Sequence, residues 1–104
     1  MDEFGFKNWL RSSGIKDKVA SDYVSRLRKI AREFRVDLDR EYRKDGLLYL
    51  LSLFENSGDN EHMKNYSDID LPIGKYYINA YKLALRKYRV FKTDSEKTTT
   101  GVRQ

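Results

Sequence analysis

The chain has 104 residues, of which 39% are hydrophobic and 36% charged, with a formal net charge of +5, one proline and no cysteine. This length allows a single domain with one modest hydrophobic core, and the composition is typical of a helix-rich globular protein rather than a disordered or fibrous one. The lack of cysteine excludes disulfides, thiolate catalysis and every zinc site that needs sulfur ligands.

Neither a membrane span nor a secretory signal can be recognised in the sequence. No apolar run reaches the roughly 20 residues that cross a bilayer. The opening residues, Met1-Asp2-Glu3-Phe4, do not follow the basic-then-apolar order of a signal peptide. We therefore expect a cytoplasmic protein that does not associate with membranes.

A glycine separates the first two predicted helices. Phe6, Trp9 and Leu10 lie on one side of a helix predicted over residues 2–13, which ends at Gly14. The second helix, over residues 16–35, is the clearest amphipathic element of the chain. Its apolar positions are Val19, Ala20, Tyr23, Leu27, Ile30, Ala31 and Phe34.

The middle of the chain predicts short helices and then a long loop. Asp37 or Asp39 is expected to cap a short helical turn, and Asp45 to cap the leucine-rich helix that follows it. Residues 56–70 are polar and rich in turn-forming residues, so we predict a loop there.

The last predicted helix runs from Pro72, which suits a first helical turn, to Lys92. Residues 93–104 are expected to form a disordered tail or a linker. The predicted fold is thus an all-α, compact bundle of four to five short helices over residues 1–92, followed by the tail or linker at 93–104.

Charge is segregated along the chain. Residues 16–35 hold seven bases and three acids, and residues 72–93 hold six bases and no acid. Residues 37–70 hold nine acids and four bases. If the second and last helices lie side by side, they form a positive face that would orient the molecule on a polyanion.

Two sets of bases recur at helical spacing on these two helices. In the last helix the spacings are seven, four and three residues, and in the second helix they are four and three. A stripe of like charge repels itself, so we expect a nucleic-acid backbone to neutralise it, with a solvated helix face as the alternative. The candidate nucleic-acid-binding residues are Arg28, Arg32, Arg35, Lys75, Lys82, Arg86 and Arg89.

Four tyrosines of the last predicted helix, Tyr76, Tyr77, Tyr81 and Tyr88, occupy a wide arc together with its apolar residues. Core packing is the main expectation for this arc. A protein interface or stacking on exposed bases is the alternative, because tyrosine combines a large ring with a polar tip.

The sequence gives little support to catalysis. His62, the single histidine, lies in the polar loop and is expected to be a surface residue. The acids at 37–41 and 68–70 could bind a divalent cation, but helix capping is the preferred interpretation. The glycines form no phosphate-binding loop. We expect no catalytic residue, no metal site and no cofactor.

Part of the pattern resembles a known family. Phe6, Trp9-Leu10, Gly14-Ile15, Val19, Tyr23, Leu27 and Ile30 resemble the opening of the N-terminal, SAM-like core-binding domain of tyrosine recombinases, the phage integrases. Leu83-Ala84-Leu85-Arg86-Lys87-Tyr88 followed by Phe91 resembles the closing helix of that domain. The likeness spans roughly residues 4–92, and similar modules precede some restriction-type nucleases.

This resemblance implies a helical bundle whose second and fourth helices face duplex DNA. The recombinase catalytic domain has no counterpart in the chain, and Lys16 stands where the family has a capping Ser or Thr. We therefore predict a non-catalytic DNA-binding module of a phage, mobile element or restriction system, with a catalytic domain or another protein as partner. The alternative is a protein-interaction module, such as a subunit, inhibitor or antitoxin-like partner, that uses the tyrosine-rich last helix.

Overall fold

The computed structural model describes the backbone of residues 1–103 and the side chains of residues 1–97. Within these residues the chain forms five α-helices and three short 3₁₀ turns, without any strand. The helices are α1 (Glu3–Ser12), α2 (Asp17–Phe34), α3 (Leu38–Asp45), α4 (Leu48–Ser52) and α5 (Asn79–Arg103), and the turns are Glu55–Gly58, Met63–Asn65 and Tyr76–Ile78. The all-α bundle is confirmed, whereas its SAM-like arrangement stays a prediction.

Local signals account for the bounds of α1 and α2, which lie within one residue of those predicted. The side chain of Asp2 accepts a 2.9 Å hydrogen bond from the Gly5 N–H and caps α1. Gly14, with φ +89°, follows the end of this helix. Arg35 closes α2 in the left-handed conformation, and its N–H donates to the Arg32 carbonyl.

The core lies between α1, α2 and α5, with α2 packed against both of the others. Aromatic rings join α1 to α5, since the ring of Phe6 meets the ring of Tyr88 edge to face at 5.2 Å and that of Phe91 at 5.6 Å. Such pairs contribute about 0.5–1.5 kcal/mol each beyond the burial of their area. Helix α5 is thereby held against α1.

Helix α3 is capped as predicted, because the Asp37 side chain accepts a hydrogen bond from the Asp39 N–H at 3.0 Å. Asp45, the last residue of α3, accepts the Tyr49 N–H in the first turn of the leucine-rich helix at 2.9 Å, although the residue in the N-cap position is Leu47. Helix α4 nevertheless begins only at Leu48, since Gly46 and Leu47 both adopt a positive φ and separate it from α3.

Residues 56–70 contain no α-helix, as predicted, but they are packed onto the core. The Asn60 side chain donates to the carbonyls of Leu53 and Glu55 and accepts the N–H of Met63. Met63, Leu71 and Gly58 are buried, so this loop closes one end of the bundle.

The predicted start of the last helix at Pro72 is wrong. The Pro72 carbonyl accepts the Lys75 N–H in a turn, Gly74 has φ +76°, and α5 begins at Asn79 after the turn Tyr76–Ile78. The Gly74 N–H donates at 2.7 Å to the Ser57 carbonyl, which holds this stretch in a non-helical path. Lys75 therefore does not belong to the helical stripe on which it was placed.

The predicted helix end at Lys92 is also wrong. Helix α5 continues through Arg103, so the segment expected to be disordered is helical as far as residue 103, and Gln104 lies outside the described residues. The first turn beyond Lys92 has partners, because the Trp9 Nε1–H donates to Asp94 at 3.1 Å and the Tyr42 hydroxyl lies 3.1 Å from that of Thr93. A linker role for residues 93–104 stays a prediction.

None of the helices, over the residues described, has the length and apolar character that a bilayer-spanning segment requires.

Candidate nucleic-acid interface

Three of the predicted cations share one side of α5. Lys82, Arg86 and Arg89 follow one another at spacings of four and three residues, on the side that turns away from the buried Ala84 and Tyr88. Lys82 is half-buried, whereas Arg86 and Arg89 are exposed. In the part of the chain that the structure describes, Lys82 and Arg86 form no ion pair. Their charge is available to a ligand.

Arg89 connects this side of α5 to α3. Its Nε–H donates a 2.9 Å hydrogen bond to the carbonyl of Gly46, the residue that closes α3. The last carbonyls of a helix carry partial negative charge, so a guanidinium is well placed there. Because a guanidinium has five N–H donors in a planar fork, Arg89 keeps donors free for a phosphate.

Helix α3 turns its bases and one acid, Asp45, outward, and two of its acids inward. The side chains of Asp39 and Glu41 are only 24% and 13% exposed, respectively. Three cations of the same helix, Arg40, Arg43 and Lys44, are exposed. Sequence reasoning missed them because it counted this segment as part of the acidic middle. The amphipathic spacing of α3 was the signal that could have revealed its basic outer face.

Arg43 lies at the edge of α3 that borders α5. Asp39 and Tyr42 both contact α5 side chains, and Arg43 follows Asp39 by one helical turn and precedes Gly46 by three residues. The Arg43 side chain therefore starts within about one turn of the Arg89 contact. We refer to Arg43, Lys82, Arg86 and Arg89 as the α3–α5 basic surface.

The charge of Asp39 is satisfied within the protein. Its carboxylate accepts a 2.5 Å hydrogen bond from the Tyr88 hydroxyl and lies 3.4 Å from the N-terminal ammonium of Met1 and 3.5 Å from Lys92 Nζ. Burial raises the pKa of Asp39, but the Tyr88 hydrogen bond and the two cations outweigh it, so the pKa lies below its ordinary value. The negative charge of Asp39 is consequently neutralised by groups of the protein itself.

The cations predicted on α2 have different neighbours. The Arg28 guanidinium donates two hydrogen bonds to the Glu3 carboxylate of α1, and this hydrogen bonding lowers the pKa of Glu3. Arg32 lies 3.7 Å from the Glu33 carboxylate, and Arg35 is exposed at the end of the helix. Helix α2 packs against α5, which was the condition set for a shared positive face. Arg28 of α2 nevertheless pairs with α1, whereas Arg89 of α5 contacts the end of α3. The two predicted sets of cations therefore have different neighbours.

The predicted arc of tyrosines is divided between the core and the surface. Tyr88 is fully buried and Tyr81 is half-buried. Tyr76 and Tyr77, which belong to the turn before α5 rather than to the helix, are 87% and 64% exposed. Lys75, immediately before them, is also exposed.

His62 is exposed, as expected, and its Nδ1 lies 3.5 Å from the Ser52 hydroxyl. Nearby, the hydroxyls of Tyr49 and Tyr66 are 3.0 Å apart. The hydrogen bond that the Tyr66 hydroxyl shares with Tyr49, together with burial, raises the pKa of Tyr66 to about 12. Within the described residues, no three His, Asp or Glu side chains are grouped so that they could hold a metal ion.

Comparison of the chain with protein-family models, with curated proteins and with solved structures found no match. The resemblance to the core-binding domain of tyrosine recombinases stays a prediction.

Proposed function

We propose that this protein binds duplex DNA through its phosphate backbone, using the α3–α5 basic surface. The observation that carries the proposal is the exposed Arg86, which has no acidic partner among the described residues and lies between Lys82 and Arg89 on α5. Arg89 in turn connects to the end of α3, where Arg43 adds a further cation. Cations on two adjoining helices favour an extended polyanion over a single phosphate group.

The α2 cations have a secondary role in this proposal. Arg28 is already bound by Glu3, so its contact with DNA would require that pair to open. Arg35 is exposed and Arg32 is held only by a 3.7 Å contact with its neighbour Glu33. These two arginines could extend the interface along α2. Phosphate contacts of this kind position a protein on DNA without reading its sequence.

Charge-reversal variants of equal net charge test the proposal. Arg43→Glu/Arg86→Glu removes two cations of the α3–α5 basic surface, and Lys16→Glu/Lys18→Glu alters two exposed lysines near the start of α2. Each pair changes the formal net charge from +5 to +1. Titration of a labelled duplex at several salt concentrations, with circular dichroism to verify folding, compares them. A third pair, Arg32→Glu/Arg35→Glu, measures the contribution of α2.

We expect Arg43→Glu/Arg86→Glu to weaken binding by about tenfold or more and to reduce the salt slope by roughly 0.9 for each phosphate that the protein no longer neutralises. The lysine pair should change affinity much less, because its charges lie outside the interface. Equal decreases in the affinity of the two variants would show that only net charge matters. Failure of the unaltered protein to bind DNA at low salt would overturn the proposal.

The predicted family resemblance fits this function. A catalytic domain joined after α5 would act on the DNA that this domain holds, as in a recombinase or a nuclease. In that arrangement the protein is the DNA-binding module of a phage, mobile-element or restriction system and has no catalytic residues of its own.

A protein-interaction module is the second candidate, favoured by two apolar residues on the exposed side of α5. Leu83 and Val90, two helical turns apart, are 43% and 46% exposed. Size-exclusion chromatography with light scattering distinguishes the candidates. A dimer, or a co-purifying protein, that persists at high salt would favour apolar association, because salt screens phosphate contacts but not apolar ones.

A further inference from the structure

Tyr76 and Tyr77 present two aromatic rings to solvent beside a buried residue. They are 87% and 64% exposed, whereas Ile78, the next residue, is fully buried and anchors the turn. The Ile78 N–H donates to the Lys75 carbonyl. Among the described residues, neither tyrosine hydroxyl has a hydrogen-bond partner. The backbone that carries the rings is thus anchored, while the rings themselves face solvent.

The surroundings of this pair are polar and cationic. Lys75 precedes the tyrosines directly and Lys82 follows Tyr77 by five residues. Between residues 71 and 93 the chain has no acid. A protein-binding hot spot is normally an aromatic residue within an apolar, water-excluding surround. Aromatic rings flanked by cations instead match the combination by which proteins hold single-stranded nucleic acid, with bases on the rings and phosphates on the cations.

The pair also lies at one end of the α3–α5 basic surface. Helix α5 begins at Asn79, so Lys82 and Arg86 lie roughly 5 and 10 Å along its axis from that start. A duplex held on these cations would have its end, or a distortion, near the tyrosines. The bases inside an intact duplex are stacked on one another and cannot reach surface rings, whereas unpaired bases can.

From this arrangement we propose that Tyr76 and Tyr77 stack on unpaired bases, so that the preferred ligand is DNA in which a single-stranded segment adjoins a duplex. The inference rests on the proposed function, since the α3–α5 basic surface supplies the phosphate contacts. Stacking on an aromatic side chain contributes about 1–3 kcal/mol per base. Two stacked bases therefore correspond to a preference of roughly thirtyfold or more over the blunt duplex.

Three labelled ligands test the inference: a blunt duplex, the same duplex with a thymine overhang, and the same duplex with an abasic overhang of equal length. The abasic strand keeps every phosphate and lacks the bases. The unaltered protein should prefer the thymine overhang to both others. Tyr76→Ala/Tyr77→Ala should lose this preference and keep its affinity for the blunt duplex, while Tyr76→Phe/Tyr77→Phe, which retains both rings, should keep the preference.

The outcomes separate the two proposals. If Arg43→Glu/Arg86→Glu weakens binding as expected but the unaltered protein binds the thymine and abasic overhangs equally, the stacking is overturned and the proposed function stays intact. No binding to any of the ligands at low salt would overturn both. If Tyr76→Ala/Tyr77→Ala abolished self-association on a sizing column and left the DNA preference unchanged, the tyrosines would be a protein contact and the inference would be wrong.

Discussion

The Tyr88 hydroxyl donates a 2.5 Å hydrogen bond to the Asp39 carboxylate and thereby joins α5 to α3. The same phenol oxygen accepts the Asp2 N–H at 3.1 Å, and the Met1 ammonium and Lys92 lie beside the carboxylate. The start of the chain, α3 and α5 therefore meet at a single half-buried charge. This junction holds the end of α3 against α5, where Arg89 donates to the Gly46 carbonyl three residues after Arg43.

Replacing Asp39 by Asn is expected to lower the free energy of unfolding by about 1–2 kcal/mol near neutral pH, because a charged hydrogen-bond acceptor and its ion pairs are removed. The pKa of Asp39 is depressed below its ordinary value of 3.8 in the folded chain. Its stabilisation is thus present above that value and disappears as the pH falls through the folded pKa. The difference in free energy of unfolding between Asp39→Asn and the unaltered protein should shrink below about pH 4.

Urea unfolding at neutral and acid pH, followed through the fluorescence of the single tryptophan, measures this difference. Asp68→Asn, in the exposed loop, is the control and should leave the free energy of unfolding unchanged at both pH values. A destabilisation by Asp39→Asn that is the same at both pH values would contradict the assignment.

Removing the hydroxyl in Tyr88→Phe tests the other side of the same bond. Burial, followed by the bond to Asp39, raises the pKa of Tyr88 above its ordinary value of 10.0. The protonated phenol therefore stabilises the fold below that pH, and this contribution disappears as the pH rises further, because only the unfolded chain ionises readily. We expect Tyr88→Phe to be less stable by about 1–2 kcal/mol at neutral pH, with a smaller deficit above about pH 10.

Thermal unfolding of both proteins across the alkaline pH range measures this stability deficit. The pKa of Tyr66 is also raised, to about 12, but this residue is present in both proteins and cancels in the comparison. Parallel stability curves for Tyr88→Phe and the unaltered protein up to high pH would argue against a raised pKa for Tyr88.

Shortening α5 tests whether the segment after Lys92 belongs to the folded unit. Deletion of residues 93–104 removes Asp94, the acceptor of the Trp9 indole N–H, and should lower the free energy of unfolding by about 1 kcal/mol or more. Deletion of residues 98–104 only is the matched control, because it keeps that hydrogen bond. The tryptophan emission should shift to longer wavelength in the first variant alone. Identical behaviour of the two deletions would mean that the Asp94 contact does not stabilise the protein.

Gly58→Ala and Gly74→Ala separate steric contact from backbone strain. Both glycines have a positive φ, +83° and +76°, so an added Cβ costs roughly 1 kcal/mol at either site. At Gly58 that atom would also lie 3.0 Å from Ile78 Cδ1 and 3.2 Å from Ile73 Cδ1, whereas nothing lies within 4 Å of it at Gly74. We expect Gly58→Ala to have the lower melting temperature, with a further destabilisation of about 1–3 kcal/mol from overpacking. A lower melting temperature for Gly74→Ala would contradict the packing of this loop.

Much of the helical framework follows from local patterns in the sequence. The apolar spacing of α2, the left-handed Gly14 and the side-chain cap of Asp37 all act within a few residues, and each was predicted. The start of α5 was not predicted correctly, because the helical spacing of the sequence continues back to Pro72. The hydrogen bond from the Gly74 N–H to the Ser57 carbonyl, 17 residues earlier in the chain, imposes a turn there instead. The C-terminal end of α5 extends past Lys92 because Asp94 accepts a hydrogen bond from the Trp9 indole N–H.

In the candidate interface, too, some features follow from the local sequence and others from contacts between distant residues. By itself the sequence determined that the protein is all-helical and that Lys82, Arg86 and Arg89 share one side of the last helix, since the helical repeat depends only on the local backbone. The tertiary structure alone decided which helix completes that side. Asp39 is held inward by three groups that are far from α3 in the sequence, namely Tyr88, Lys92 and the N-terminal ammonium. The bases of α3 consequently face solvent.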